Sequence, residues 1–303
     1  MLHAKNLSYE YASNTSLAHV ALRDVSLSLE EGGSLLIVGS TGSGKSTLLR
    51  VLAGLLDPAT GSVLVNDKPV RPASVGLVFQ QPESQLFSET VISDVAFGPS
   101  NLGASKEEAA RLAREALLEV GLDPDEYGER SPFTLSGGQA RRVAIAGVLA
   151  MDLPYVLFDE PTAGLDGVGR RFFRDLVGKL QGQGKGIIVV SHDVDEFLDI
   201  VDDTLLLRDG SVVWSGKTSA LVASPVLFSK AGLAMPDLLR FQCELACADG
   251  GYVLDVDKVA HWALAGYSVG GPGGHGHHDH DARSVSDADD ATTAKSSPGG
   301  EGE

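Results

Sequence analysis

Nine consecutive residues, Gly39, Ser40, Thr41, Gly42, Ser43, Gly44, Lys45, Ser46 and Thr47, fit the spacing G-x-x-x-x-G-K-[ST]. They stand after a predicted strand and before a predicted helix, the context in which such a loop wraps phosphate. Glycines let the backbone pass close and aim its N–H groups at phosphate oxygens. Lys45 supplies positive charge near the β- and γ-phosphates of a nucleotide, and the Ser46 hydroxyl is suited to ligate Mg²⁺. A second stretch, Leu135 to Gln139, reads as another anion-receiving helix start, built on Ser136, Gly137, Gly138 and Gln139 but lacking a lysine.

Four further polar groups close apolar runs. Asp159 and Glu160 end "YVLFDE"; at the C-terminal edge of a parallel sheet such acids face the ligand crevice. Asp159 is read as holding Mg²⁺ through its water shell, and Glu160 as orienting and polarising an attacking water. His192 ends "IIVVSH" and converges on the same crevice, where it is assigned to the γ-phosphate. Gln80 closes "VGLVFQ" and is read as an amide ligand of Mg²⁺ that senses the γ-phosphate. Tyr11 has two readings, packing within a β-subdomain or stacking on adenine; the second is preferred.

The elements that must position these groups follow from patterning. Short apolar strands are expected over Leu2–Tyr11, Leu22–Glu30, Ser34–Val38, Val75–Phe79, Tyr155–Phe158 and Gly186–Val190. Helices are expected from Lys45 to about Gly54, across much of Val91–Met151, over Gly167–Gln181 and after Asp193. This alternation reads as an α/β fold of the P-loop NTPase kind. It has a mainly parallel core sheet, an antiparallel N-terminal β-subdomain, a helical signature subdomain and a small C-terminal helical module. "LLLRDGSVVW" carries a hairpin signal at Asp209-Gly210. The expected divisions are residues 1–224 for the ATPase domain, with its helical part over about 85–150, and 225–265 for the C-terminal helices. Residues 266–303 form a His-, Asp- and Gly-rich tail that cannot bury enough surface to order itself.

Composition bounds the class. The 303 residues are 43% hydrophobic and 21% charged, enough for a sizeable core. A net charge of −17 argues against broad binding of nucleic acid. The two cysteines, Cys243 and Cys247, imply no disulfide framework and suit a reducing compartment. The N-terminus lacks a signal pattern, and apolar runs such as Val143–Met151 fall short of the roughly 20 residues of a membrane helix. Work at a membrane would then require docking on another protein.

The Ser136–Gln139 start lies beyond a mostly helical insertion and is hard to fold onto its own chain's phosphate loop. Two chains arranged head to tail solve the geometry, each presenting this start to the nucleotide held by the other.

The ordered set Gly39–Thr47, Gln80, Leu135–Gln139, Tyr155–Pro161, Ala163–Asp166 and His192 resembles the ATPase subunits of ATP-binding cassette transporters over roughly residues 1–225. The resemblance implies Mg-ATP binding, a closed two-site dimer and hydrolysis at its interface, with Asp166 linking the two sites. It also implies that Gln80 and the helical segment after it form a groove for a membrane partner's coupling helix. "VGLVFQQPESQLFSETVISDVAFGP", "RRVAIAGVLAM" and "DEPTAGLD" are similar, more narrowly, to ATPases of energy-coupling factor transporters, including cobalt and nickel importers. That likeness implies import of vitamins or transition-metal ions. The partners would be a second ATPase of the same or a related kind, a transmembrane coupling protein and a substrate-binding membrane component, with this chain peripheral on the cytoplasmic face. Gly167 stands where a proline often follows the aspartate, without loss of a chemical group.

Other features are assigned blander roles. His275, His277, His278 and His280, beside Asp279 and Asp281, are able to bind transition metals, but read first as a solvated tail. Cys243 and Cys247, four apart on one helix face, read as small buried residues. Arg141 and Arg142 read as structural ion-pair formers on the Ser136–Gln139 helix.

Overall fold

The computed structural model describes residues 1–12 and 18–244. Cys247, the part of the expected C-terminal module beyond residue 244, and the expected tail (266–303) with its histidines lie outside them. The N-terminal strands β1 (Leu2–Tyr11) and β2 (His19–Leu29) pair antiparallel, and β3 (Ser34–Val38) runs into helix α1 (Lys45–Leu52). Strands β4 (Thr60–Val65) and β5 (Lys68–Pro69) form a hairpin that pattern reading missed. Its signal was Asn66-Asp67: both have positive φ, 49° and 61°, as a two-residue hairpin turn requires. The first sheet has the order β2-β1-β4-β5.

Strand β6 (Gly76–Val78) leads into the helical segment. The run expected over Val91–Met151 is cut into α2 (Val91–Val95), α3 (Phe97–Asn101), α4 (Lys106–Glu119), α5 (Pro124–Tyr127) and α6 (Gly137–Leu149). The chain continues with β7 (Tyr155–Asp159), α7 (Gly167–Gly182), β8 (Gly186–Ser191), β9 (Asp203–Arg208) and β10 (Ser211–Lys217). Helices α8 (Thr218–Val222), α9 (Val226–Lys230) and α10 (Asp237–Glu244) follow.

The second sheet has the order β10-β9-β3-β8-β7-β6. Every pairing from β9 to β6 is parallel, and only β10 turns back. Strands β3, β7 and β8 are buried on both faces, which explains their unbroken apolar sequences. Alternate residues feed two cores. Leu36, Val38, Val156, Phe158, Ile187 and Val189 pack under α4, α6 and α7; Leu35, Ile37, Leu157, Ile188 and Val190 pack under α1 and the first sheet. Parallel pairing delivers the C-terminal ends of β3, β8, β7 and β6 to one edge of the sheet.

The helix expected after Asp193 is instead a series of turns. Val194, Phe197, Leu198 and Val201 are buried at helical spacing, so the periodicity was real. Tertiary partners take over the polar groups. Arg174 donates to the Glu196 carbonyl, Thr162 to the Glu196 carboxylate, and Asp237 N to Asp195 Oδ2 at 3.0 Å.

Helix α6 starts with a reciprocal cap. Gln139 N donates to Ser136 Oγ at 3.4 Å, and Ser136 N donates to Gln139 Oε1 at 3.0 Å. Replacing Ser136 with alanine removes one of these bonds. The expected cost is about 1 kcal/mol, read as a fall of about 2–4 °C in the melting temperature of the purified chain. An unchanged melting temperature would show that the cap contributes nothing.

Candidate nucleotide site

The phosphate loop is fixed by close backbone approach. A Cβ at Gly39 would overlap the Leu207 carbonyl oxygen and Ser43 Oγ, and one at Gly44, where φ is 101°, would overlap the Ala21 carbonyl oxygen. The loop is thereby pinned between the ends of β9 and β2. Gly42, at φ 82°, faces open space. Helix α1 begins at Lys45 with no side-chain cap, leaving its first N–H groups to an incoming anion.

Lys45 is only 7% exposed. Its ammonium donates to the carbonyls of Gly39 at 2.7 Å and Ser40 at 3.1 Å, and lies 3.9 Å from Glu160 Oε1. Burial pulls its pKa below the ordinary lysine value, against the opposing pull of Glu160 and Asp159. Ser46 Oγ donates to Asp159 Oδ1 at 3.0 Å. Burial, seconded by the Glu160 charge, raises the Asp159 pKa against this hydrogen bond. This buried carboxylate and the Ser46 hydroxyl offer the hard oxygen donors that Mg²⁺ prefers. Among the described residues, no three His, Cys, Asp or Glu side chains cluster as a metal site of their own. Oxygen ligands from phosphate and water would complete the shell.

Glu160 follows the last residue of β7 and has φ 50°, left-handed backbone that costs a non-glycine residue roughly 1–2 kcal/mol. Its N–H donates to the Val190 carbonyl at 3.0 Å. Its Oε2 accepts from His192 N at 3.3 Å and lies 2.5 Å from His192 Nδ1. The His192 side chain is 64% exposed, so the pair sits at the mouth of the site. Tyr11 OH lies 3.2 Å from Thr47 Oγ1, and its ring meets Tyr9 edge-on at 4.8 Å.

One cavity of about 440 Å³ is lined by Tyr11, Thr41 to Thr47, Gln80, Glu160 and His192. His19 also lines it, a residue that sequence reading passed over because it opens β2 without any motif around it. Gly39, Ser40 and Asp159 do not line it but contact residues that do: Lys45 donates to the Gly39 and Ser40 carbonyls, and Ser46 to Asp159. The residues Ser136 to Gln139 do not reach this cavity. Gly137 and Gly138 line a second one beside Gln80, Arg141 and Gly164, while Ser136, Gly138 and Gln139 line a third beside Asp166 and Phe172.

Asp166 caps α7 by accepting from Gly169 N at 2.8 Å. Arg142 forms no ion pair among the described residues; its guanidinium lies 4.1 Å from the centre of the Phe172 ring, a cation–π contact. Arg141 does pair, with Glu83 at 3.4 Å. Sequence reading missed the Thr162–Glu196 bond, for which a buried glutamate leaves no local signal.

A family model described as "ABC transporter" matches residues 22–163. The chain is 44% identical over 253 residues to the energy-coupling factor transporter ATP-binding protein EcfA2 of Streptococcus pneumoniae serotype 2, covering 80% of this chain and 90% of that one. It is 45% identical over 258 residues to the protein of the same name from Lactococcus lactis, covering 81% and 88%. Among solved structures, cbiO1 from Clostridium perfringens, described as part of the ABC transporter complex cbiONQ, matches with a TM-score of 0.66 and 32% identity over 80% of this chain and 98% of that one. A dimeric post-hydrolysis state of the ATP-binding cassette MJ0796, bound to ADP and Pi, matches with a TM-score of 0.64 and 31% identity over 72% and 99%.

Proposed function

The chain belongs to the ABC transporter family as one of its transport-coupled ATPases, and on that premise we propose that it powers an energy-coupling factor importer of vitamins or of transition-metal ions such as cobalt or nickel. The likeness to the EcfA2 proteins supports the importer class, and the observation that carries the two-chain ATPase reading is the separation of two half-sites. One cavity gathers the phosphate loop, Glu160 and His192, while the Ser136–Gln139 helix start of the same chain lines two others, one of which shares Gln80 with the first. Each half is completed by a second copy or a related chain placed head to tail. The dimeric cassette MJ0796 is consistent with that arrangement.

The loop amides and the first turn of α1 receive the phosphates, and Lys45 turns its ammonium from the loop carbonyls to the β- and γ-phosphates. Tyr11 stacks on adenine. Ser46, Gln80 and Asp159, the last through water, would hold a Mg²⁺ ion, which when bound would neutralise phosphate charge. Glu160 orients the attacking water, and His192 contacts the γ-phosphate while holding the Glu160 carboxylate in place. Ser136, Gly137, Gly138 and Gln139 of the opposite chain close over the γ-phosphate with their N–H groups. By role, we divide the chain into an ATPase domain (1–224), a dimer-forming module (225–265) and a polar tail (266–303).

No helix among the described residues is long and apolar enough to cross a membrane. We place the chain on the cytoplasmic face, held by a transmembrane coupling protein that also carries the substrate-binding component. Phe87 and Phe97 suit that docking. They are 58% and 48% exposed and meet edge-on at 4.8 Å in the helical segment that follows Gln80. Replacing Phe97 with serine should weaken recovery of the membrane partner about tenfold, the loss of a moderate hot spot, with ATP binding by the isolated chain unchanged. Full recovery would move the docking surface elsewhere.

The function itself is tested by gentle purification from native membranes and identification of what accompanies the chain. A second ATPase with two membrane components supports the importer and points to its cargo. Recovery with ribosomes or DNA and no membrane partner would overturn it.

A further inference from the structure

The guanidinium of Arg141 lies in the first turns of α6, two residues past Gln139, and is only 11% exposed. A charge withdrawn from water this far is tolerated only when its donors are met. Nη2 donates to the Gln80 carbonyl at 2.8 Å and Nη1 to the Ala163 carbonyl at 3.1 Å, while Nε lies 3.4 Å from Glu83 Oε2 as an ion pair without a hydrogen bond. These partners sit on two separate loops. Gln80 and Glu83 belong to the segment leaving β6; Ala163 lies in the turn between Glu160 and Asp166. Two of the three partners are main-chain oxygens, so the contact fixes the course of each loop whatever its side chains are.

From this we infer that Arg141 is a positioning residue for hydrolysis, tying the Ser136–Gln139 helix start to the loops that carry Gln80 and Glu160. The inference rests on the ATPase reading above. A displacement of α6 moves a rigid fork, and the fork moves both loops together. Glu83 places its charge beside the fork at 3.4 Å without accepting a hydrogen bond from Nε, so the two carbonyls set its register. Lysine keeps the charge but not the fork, so it cannot bridge two carbonyls and a carboxylate at once. None of the three contacts reaches the phosphate loop, so nucleotide affinity should be indifferent to them.

The test measures ATP turnover per stoichiometrically bound nucleotide, together with KM, for the full chain carrying Arg141→Lys, Glu83→Gln, or both. Normalising to bound nucleotide removes any loss of folded protein, which a merely structural role would produce. Arg141→Lys should lower turnover per site about tenfold with KM within about twofold. Glu83→Gln should lower it about threefold, and the double variant should be no worse than Arg141→Lys alone, because both act through one fork. Turnover per site within twofold of wild type in Arg141→Lys overturns the inference. So does a KM that rises in step with the loss. Should Arg141→Lys fail to bind nucleotide at all, Glu83→Gln decides: unchanged turnover there overturns it. A wild-type chain that binds ATP but does not hydrolyse it, alone or with its partners, overturns the ATPase reading and the inference together.

Discussion

Glu160→Gln is expected to lower ATP turnover by about 10²–10⁴-fold, the range for loss of a positioned general base, while leaving ATP bound. The amide keeps the size of the side chain and its hydrogen bond from His192 N, but it cannot draw a proton from water. Lys45, Ser46 and the loop amides are untouched, so the nucleotide should still enter and the paired chains should stay closed around it. Rapid-quench turnover measured beside nucleotide retention checks both halves of the expectation. Wild-type turnover in the variant would remove Glu160 from its assigned role. Loss of nucleotide binding would mean that the carboxylate chiefly supports Lys45, 3.9 Å away.

Phe173→Ala is expected to destabilise the chain by about 3–5 kcal/mol, as large aromatic truncations in tight cores do. Phe173 is fully buried and is met edge-on by Phe158 at 4.8 Å and Phe197 at 6.1 Å. These three rings come from α7, β7 and the turns after β8. They join the strand that ends in Asp159 to the segment that begins at His192. Emptying the centre of the triad leaves a void that no single neighbour can fill. Denaturant unfolding with unchanged slope and a shifted midpoint is the expected signature. A cost under 1 kcal/mol would mean that the triad collapses onto the space.

What the sequence disclosed tracks how local each signal is. The phosphate loop, the acids closing β7 and the histidine after β8 are each announced by a short apolar run and its end, because strands buried on both faces have no other composition open to them. The segment after Asp193 misled for a physical reason. Its apolar spacing is helical, and those residues are buried as a helix would bury them, yet Arg174, Thr162 and Asp237 claim the polar groups. Arg141 was seen only as a charge on a helix. Its carbonyl partners are 61 and 22 residues away and carry no signature in side-chain type. The β4–β5 hairpin is marked by Asn66-Asp67, but β4 is exposed over its first half and β5 has only two residues, so no apolar run announces it.

Strand β7 gives its alternate residues to opposite cores and its last residue to Ser46. A slip of one residue in its pairing would exchange those faces throughout. Phe158 would leave Phe173, and Asp159 would part from Ser46 in the same event. A mispaired β7 would therefore lose its packing and its link to the phosphate loop in one step, so stability and chemistry share a single register.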